Sequence, residues 1–345
     1  QKLMAIVADG PKGRIYLNPT PEQEDSFLDA SPNWSPESPM NRKTSNLVSG
    51  RGYGFYTWGD LFNKRQLVAL NTFIEVIGDL KEVISNDAIS AGLDNDQKGL
   101  DEGGFGAKAY GEAITIFLSL GLQKCSDYWN SFCSWTPQAE FISHLFTRQA
   151  IAMLWDYAEA NPFSNASGNW RGMLSWVVRV LEQLTFSGNG IAEQLDAQEQ
   201  TLSINKIIST DPPYYDNIAY ADLSDFFYVW LRKSLKGIYP GLFATIASPK
   251  EGELIAAQYR HGDKDKAEKF FLNGMKNAIN NLSKQAHNGF PITIYYAFKQ
   301  TEKKESGGLA STGWETFLNA IFQAGLSIVG TWPMRTERSN RMVGL

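Results

Sequence analysis

The chain has 345 residues, which at roughly 100–200 residues per domain allows two domains or one large one. Hydrophobic residues make up 43% and charged residues 20%, with 10 Trp, 14 Tyr and 20 Phe, so disorder and collagen are excluded and a large core is supplied. The 32 Lys and Arg against 37 Asp and Glu give a net charge of -5, which excludes a uniformly basic coat but not a local basic surface.

Only two cysteines occur, Cys125 and Cys133, too few for a disulfide framework or a four-ligand zinc site and in keeping with a reduced, cytoplasmic setting. Apolar stretches are broken by charges before they reach about 18 residues, so no membrane partner is expected. No signal peptide is legible. The chain opens with Gln1 and stops at Leu345 without a terminal element, and reads as a piece of something longer.

Residues 1–50 are poorly periodic and read as an extended arm. Residues 14–17 suggest a short strand, and Thr20-Pro21-Glu22-Gln23 starts a brief helix with a cap followed by proline. Residues 31–50 carry Ser, Pro and Asn in loop-like clusters. Residues 51–200 read as a helical region. Leu61, Leu67, Leu70, Phe73, Ile74 and Ile77 recur at three and four, a buried stripe on a helix from near Asp60. Further helices are predicted over 107–122, 139–160 and 169–184. Gly103-Gly104-Phe105-Gly106 superficially resembles a phosphate-cradling turn, but no strand precedes it, so it reads as a tight turn into the second helix.

The pattern changes over 201–345. Residues 204–209 predict a buried parallel strand, 222–236 and 263–285 helices, 291–298 a strand, 314–324 a helix and 326–332 a strand. Strand, helix and strand in alternation imply right-handed crossovers and a parallel sheet. This portion is α/β, preceded by a mostly α-helical region.

One motif carries chemistry: Asp211-Pro212-Pro213-Tyr214, directly after an apolar strand. Ligands bind outside the carboxyl ends of strands in open α/β sheets. The two prolines fix φ and remove two N–H donors, leaving a stiff loop that shows a carboxylate, carbonyls and an aromatic face. Such a loop suits a flat ring with an amino group. The amino lone pair of adenine is delocalised into the ring. Two acceptors, the Asp211 carboxylate and a proline carbonyl, would draw the nitrogen toward tetrahedral geometry and stabilise its developing positive charge. Tyr214 would stack on a base that has left its duplex.

Asp-Pro-Pro-Tyr at a strand end is the signature of amino-methyltransferases, and the string from Ser209 to Lys233 is similar to that of large bacterial adenine-specific DNA methylases whose N-terminal part belongs to a domain-of-unknown-function family. The resemblance extends over Gly59-Asp60-Leu61-Phe62 with Arg65-Gln66-Leu67, Ala160-Asn161-Pro162-Phe163, Ser167-Gly168-Asn169-Trp170, Tyr295 to Gln300 and Thr331 to Glu337. It implies a partial Rossmann-like methyltransferase sheet in 201–345, S-adenosylmethionine as cofactor and DNA as partner. It also implies a Phe-x-Gly-x-Gly cofactor turn after a strand. Phe186-Ser187-Gly188-Asn189-Gly190 spells that turn but follows a helix, and reads as a helix C-terminal turn. Asp196-Ala197 stands where similar methylases carry an acidic residue near the cofactor's adenine; a solvated carboxylate is the equal alternative.

Tyr215, Asp216 and Asn217 extend the motif loop toward the substrate, though Asn217 equally caps a turn. Arg335, Arg338 and Arg341 are expected to meet DNA phosphates, against a solvated segment in which Glu337 pairs locally. Asp222, Ser224 and Asp225 fit capping and dipole matching at a helix start. His144, His261 and His287 have no metal-ligand spacing. The open edge of so short a sheet leads to the expectation of a homodimer, or of an edge buried under the N-terminal arm. The other readings kept open are methylation of RNA adenine or another amino nitrogen, and a non-catalytic nucleic-acid-binding fragment.

Overall fold

The computed structural model describes residues 2–185, 188, 190–215, 218–296 and 312–334. In chain order the elements are β1 (Ile6–Gly10), β2 (Gly13–Leu17), α1 (Pro21–Asp29), α2 (Lys64–Ser90), α3 (Ala107–Ser126), β3 (Ser134–Thr136), β4 (Phe141–Ser143), α4 (Trp170–Gln183), β5 (Ser209–Thr210), α5 (Tyr220–Leu235), α6 (Gln258–His261), α7 (Lys264–Gln285), β6 (Thr293–Ile294) and α8 (Thr312–Gln323). The protein is mixed α/β, with helices predominating over three two-stranded sheets among the described residues. It divides into two compact units, Gln1–Ala192 with Tyr220–Glu251, and Glu193–Ala219 with Gly252–Leu345.

In the first unit β1 and β2 pair antiparallel, and α1 begins with a capping box between Thr20 and Gln23 and with Pro21 in its first turn. Helix α3 packs on α2, α4 and α5. The core holds fully buried Trp58, Trp129, Trp230 and Phe226, with Phe62 stacked on Phe226 at 5.7 Å. Such aromatic pairs add packing energy beyond the area they bury. Helix α2 starts four residues after Asp60, because Asp60 closes a 3₁₀ turn by accepting from the Tyr56 and Thr57 amides at 2.7 and 2.8 Å. Asn63 then caps α2 in a capping box with Gln66. Its amide also donates to Tyr157 Oη at 2.9 Å and Glu159 Oε2 at 2.8 Å. The glycines at 103–106 form the expected turn into α3. Gly103 ends a 3₁₀ turn at φ +70°, and a Cβ on Gly104 would lie 2.2 Å from the Lys98 carbonyl oxygen.

Four expected elements differ; one is the strand expected over 291–298, which among the described residues contracts to Thr293–Ile294. Residues 139–160 are not a helix: β3 and β4 form a hairpin, and beyond it the backbone bonds to distant partners. Leu145 N donates to Asp127 O at 3.0 Å, Ile151 N to Asn46 O at 2.8 Å and Ala158 N to Cys133 O at 2.7 Å. Tertiary partners satisfy these amides where a helix would have satisfied them locally. Residues 204–209 contract to β5 and an isolated bridge at Lys206; Asn205 has φ +55°, Ile204 and Ile207 are exposed, and only Ile208 is buried. Residues 326–332 form no strand, and Val329 and Trp332 lie exposed without a ladder partner.

The second unit is organised around α7 and α8. Phe271, Met275, Ala278 and Ile279 bury against Phe317, Ala320 and Ile321, with Leu254 and Ala256 completing the core. Beside this core β5 and β6 pair parallel, Ser209 opposite Thr293 and Thr210 opposite Ile294. This pair is the whole parallel sheet among the described residues.

Candidate functional site

The loop 211–214 leaves the carboxyl end of β5, where the parallel pairing continues for one more bond: Tyr295 N donates to Thr210 O at 2.8 Å. That bond brings the residues after β5 and those after β6 to one edge. Asp211 is exposed, and Pro212, Pro213 and Tyr214 are half-buried. Tyr214 Oη donates to Asp211 Oδ1 at 2.6 Å, a short charge-assisted bond across the motif. No described N–H donates to either proline carbonyl, so both remain acceptors.

The Tyr214 ring meets Tyr296 edge-on at 5.4 Å and 73°. Tyr296 stacks on Phe317 at 3.9 Å and 7°, which ties the edge to α8. Sequence reading singled out the Tyr295-Tyr296 block without giving Tyr296 a place in the site. An aromatic just past a predicted strand was the available signal, but its neighbour Tyr214 is 82 residues away along the chain.

Tyr215 is placed differently from its expected substrate-facing role. Its φ is +40°, its carbonyl accepts from Ala256 N at 2.8 Å, and its ring packs edge-on against fully buried Phe271 at 5.2 Å. A bulky residue in the left-handed region costs of order 1–3 kcal/mol and persists where its surroundings over-determine it. Tyr215 anchors the loop to the core. Asn217, with Asp216, and Arg335, Arg338 and Arg341 lie outside the described residues, as does most of Phe186 to Gly190.

Asp196 and Ala197 fall in a turn docked on α7. Asp196 Oδ1 accepts from Gln198 N at 2.8 Å, and the Asp196 carbonyl accepts from Gln200 N at 2.9 Å. Ala197 O accepts from Asn281 Nδ2 at 3.3 Å. These are the bonds of an Asx turn, and no hydrogen bond or ion pair joins Asp196 to the 211–214 loop among the described residues. Neither described parallel strand runs into a glycine turn, since β5 is followed by Asp211 and Pro212 and β6 by two tyrosines. Among the described residues, then, no glycine turn at a strand end lets the backbone approach S-adenosylmethionine.

Asp222 and Asp225 are buried in the first unit, where Asp222 accepts from Asn41 Nδ2 at 3.1 Å. Asp225 takes Ser248 N and Lys250 Nζ at 2.8 and 2.7 Å, which holds the segment at 245–250 onto α5. These bonds secure the tertiary packing rather than the helix start. His144 Nδ1 lies 2.8 Å from Asp127 Oδ2, and that bond raises the imidazole pKa. Burial pushes the Cys133 thiol up to about 12 and the Cys125 thiol higher still. No group of three or more His, Cys, Asp or Glu among the described residues is placed to hold a metal ion. No helix is long and apolar enough to cross a membrane among the described residues.

No family model matches the chain, and no curated protein or solved structure matches it.

Proposed function

We propose that this chain carries the adenine-binding edge of an amino-methyltransferase acting on DNA. The observation that carries the reading is the emergence of Asp211-Pro212-Pro213-Tyr214 from the carboxyl end of a parallel strand, with its carboxylate, proline carbonyls and tyrosine ring on one edge. Asp211 and the Pro212 carbonyl accept hydrogen bonds from the two N–H groups of the adenine amino group, and localise its lone pair for attack. The proline-stiffened backbone fixes the two acceptors before the base arrives, so little reorganisation is left for the transition state. Tyr214 offers its ring to the extruded base.

S-adenosylmethionine enters only as the methyl donor that the resemblance implies, and no step is derived through it. The β5–β6 pair is read as the nucleus of a Rossmann-like sheet. The motif is the reason to prefer a catalytic reading. The two-residue strands favour a second one, a methylase-like fragment that binds nucleic acid without catalysis.

The test is incubation with saturating S-adenosylmethionine and mixed-sequence duplex DNA, or RNA of the same sequence, followed by hydrolysis and detection of N6-methyladenine. The expected result is methylated DNA from the wild type and a loss of about 100-fold or more for Asp211→Ala, the scale set by removing one transition-state hydrogen-bond partner. A fully active Asp211→Ala overturns the role of the motif. DNA binding without any methyl transfer by the wild type turns the reading to the non-catalytic one.

A further inference from the structure

A second surface, on the first unit, has the composition of a strand-binding platform. Residues 38–59 contain no Asp or Glu but carry Arg42, Lys43 and Arg51, in a chain whose net charge is -5. All three cations are exposed and none is in an ion pair among the described residues. The nearest acids in sequence to this surface are exposed Glu37, Asp60, whose carboxylate accepts two backbone amides, and exposed Asp156.

Aromatic rings are interleaved with the cations. The Arg42 guanidinium sits 4.7 Å from the centre of the Tyr56 ring. Tyr53 meets Trp155 edge-on at 5.8 Å, and Tyr53, Tyr56 and Trp155 are 46%, 47% and 82% exposed. Gly52 and Gly54 flank Tyr53 at φ +78° and +87°, and nothing lies within 4 Å of where a Cβ would stand on either. Both neighbours of the ring are thereby kept clear of side chains. The platform is not a loose loop. Met40 N bonds Tyr56 O at 2.8 Å, Ser49 Oγ bonds Asn41 O at 2.7 Å, Arg51 Nε bonds Ser45 O at 3.0 Å, and Leu47, Val48 and Trp58 are buried beneath it.

We propose that Arg42, Lys43, Arg51, Tyr53, Tyr56 and Trp155 form a binding surface for single-stranded DNA. Positive charge follows a phosphate backbone and exposed rings stack on unpaired bases, whose faces a duplex hides. Arginine held over an aromatic ring extends the stacking surface. The choice of DNA rests on the methylation reading; the rest stands on the surface itself.

The test is fluorescence anisotropy with a fluorescein-labelled mixed-sequence DNA strand, its duplex and the RNA of the same sequence, at several salt concentrations. The single DNA strand is expected to bind most tightly. Arg42→Gln, Lys43→Gln and Arg51→Gln together should shallow the log–log salt slope by about 2, at about 0.7 per phosphate contact. Tyr53→Ala and Trp155→Ala should each weaken binding about tenfold with the slope unchanged, while Tyr53→Phe binds like the wild type. All these positions are exposed, so the variants should melt near the wild type, the triple variant losing only one hydrogen bond, that of Arg51 to Ser45 O. An unchanged slope, unchanged affinity in the alanine variants, or tighter binding of the duplex or RNA overturns the proposal. A chain that binds the strand through these residues yet transfers no methyl group retires the methylation reading alone. An active chain whose binding ignores them retires the surface alone.

Discussion

The two units solve the problem of holding a fold together in different ways. In the first, long helices α2 and α3 are started by local signals, and aromatic side chains fill the space between α2, α3 and α5. In the second, α7 and α8 make a compact core, but the edge that presents Asp211 rests on strands two residues long and on Tyr215, anchored to Phe271. Where the scaffold is local, single bonds matter little to geometry. Where it depends on a short pairing between distant segments, core packing sets the position of the candidate site.

The largest effects test this contrast. Phe226→Ala and Phe271→Ala each remove a fully buried ring and should each cost about 3–5 kcal/mol in chemical denaturation. The contrast predicts a second effect at Phe271 only, because Tyr215 loses the ring it packs on. On the methylation reading proposed above, methyl transfer per folded molecule should fall for Phe271→Ala and stay constant for Phe226→Ala. Equal behaviour of the two variants breaks the comparison.

A smaller effect is expected at the start of α2. Asn63→Ala deletes the cap and the bonds to Tyr157 and Glu159, for a loss of about 1–2 kcal/mol and a lower thermal midpoint. The loss should appear in stability and leave per-molecule activity alone, as the local scaffold implies.

The smallest effect concerns pH. The folded pKa of His144 is raised by its bond to Asp127, so the pair's contribution is fully present below the unfolded value of about 6.5 and is lost as pH rises through the folded value. The side chain is 37% exposed and screened by solvent, which limits the effect to less than about 1 kcal/mol. His144→Gln should flatten the stability profile across that window; an unaltered slope in pH-dependent melts sets the pair aside.

The same contrast explains what could be read from the sequence. Helices α2, α3, α4, α5 and α7 are written in local periodicity, and Asn63, Asn169 and Asp263 mark the starts of α2, α4 and α7 through side chains that accept a backbone amide. The segment at 139–160 was expected to be helical, yet its amides find Asp127, Asn46 and Cys133, residues no local pattern links to it. The apolar run at 204–209 looked like a buried strand, but Asn205 breaks it at φ +55°, Ile204 and Ile207 are exposed, and only Ile208 is buried. The motif at 211–214 was legible because proline, carboxylate and ring stand together. Its contact with Tyr296 and its anchor at Phe271 were not, since both arise only when β6 and α7 come to β5 in space.

The burial of both sulfurs has a practical consequence for studying this molecule. Cys125 and Cys133 are fully enclosed and their pKa values lie far above neutrality, so almost no thiolate exists at either when the chain is folded. Maleimide reagents applied at neutral pH should leave the native chain unmodified and react with both sulfurs only after unfolding. A single cysteine introduced at exposed Ser90, at the last turn of α2, would then be the one attachment point for a dye or spin label, with no native residue to remove first.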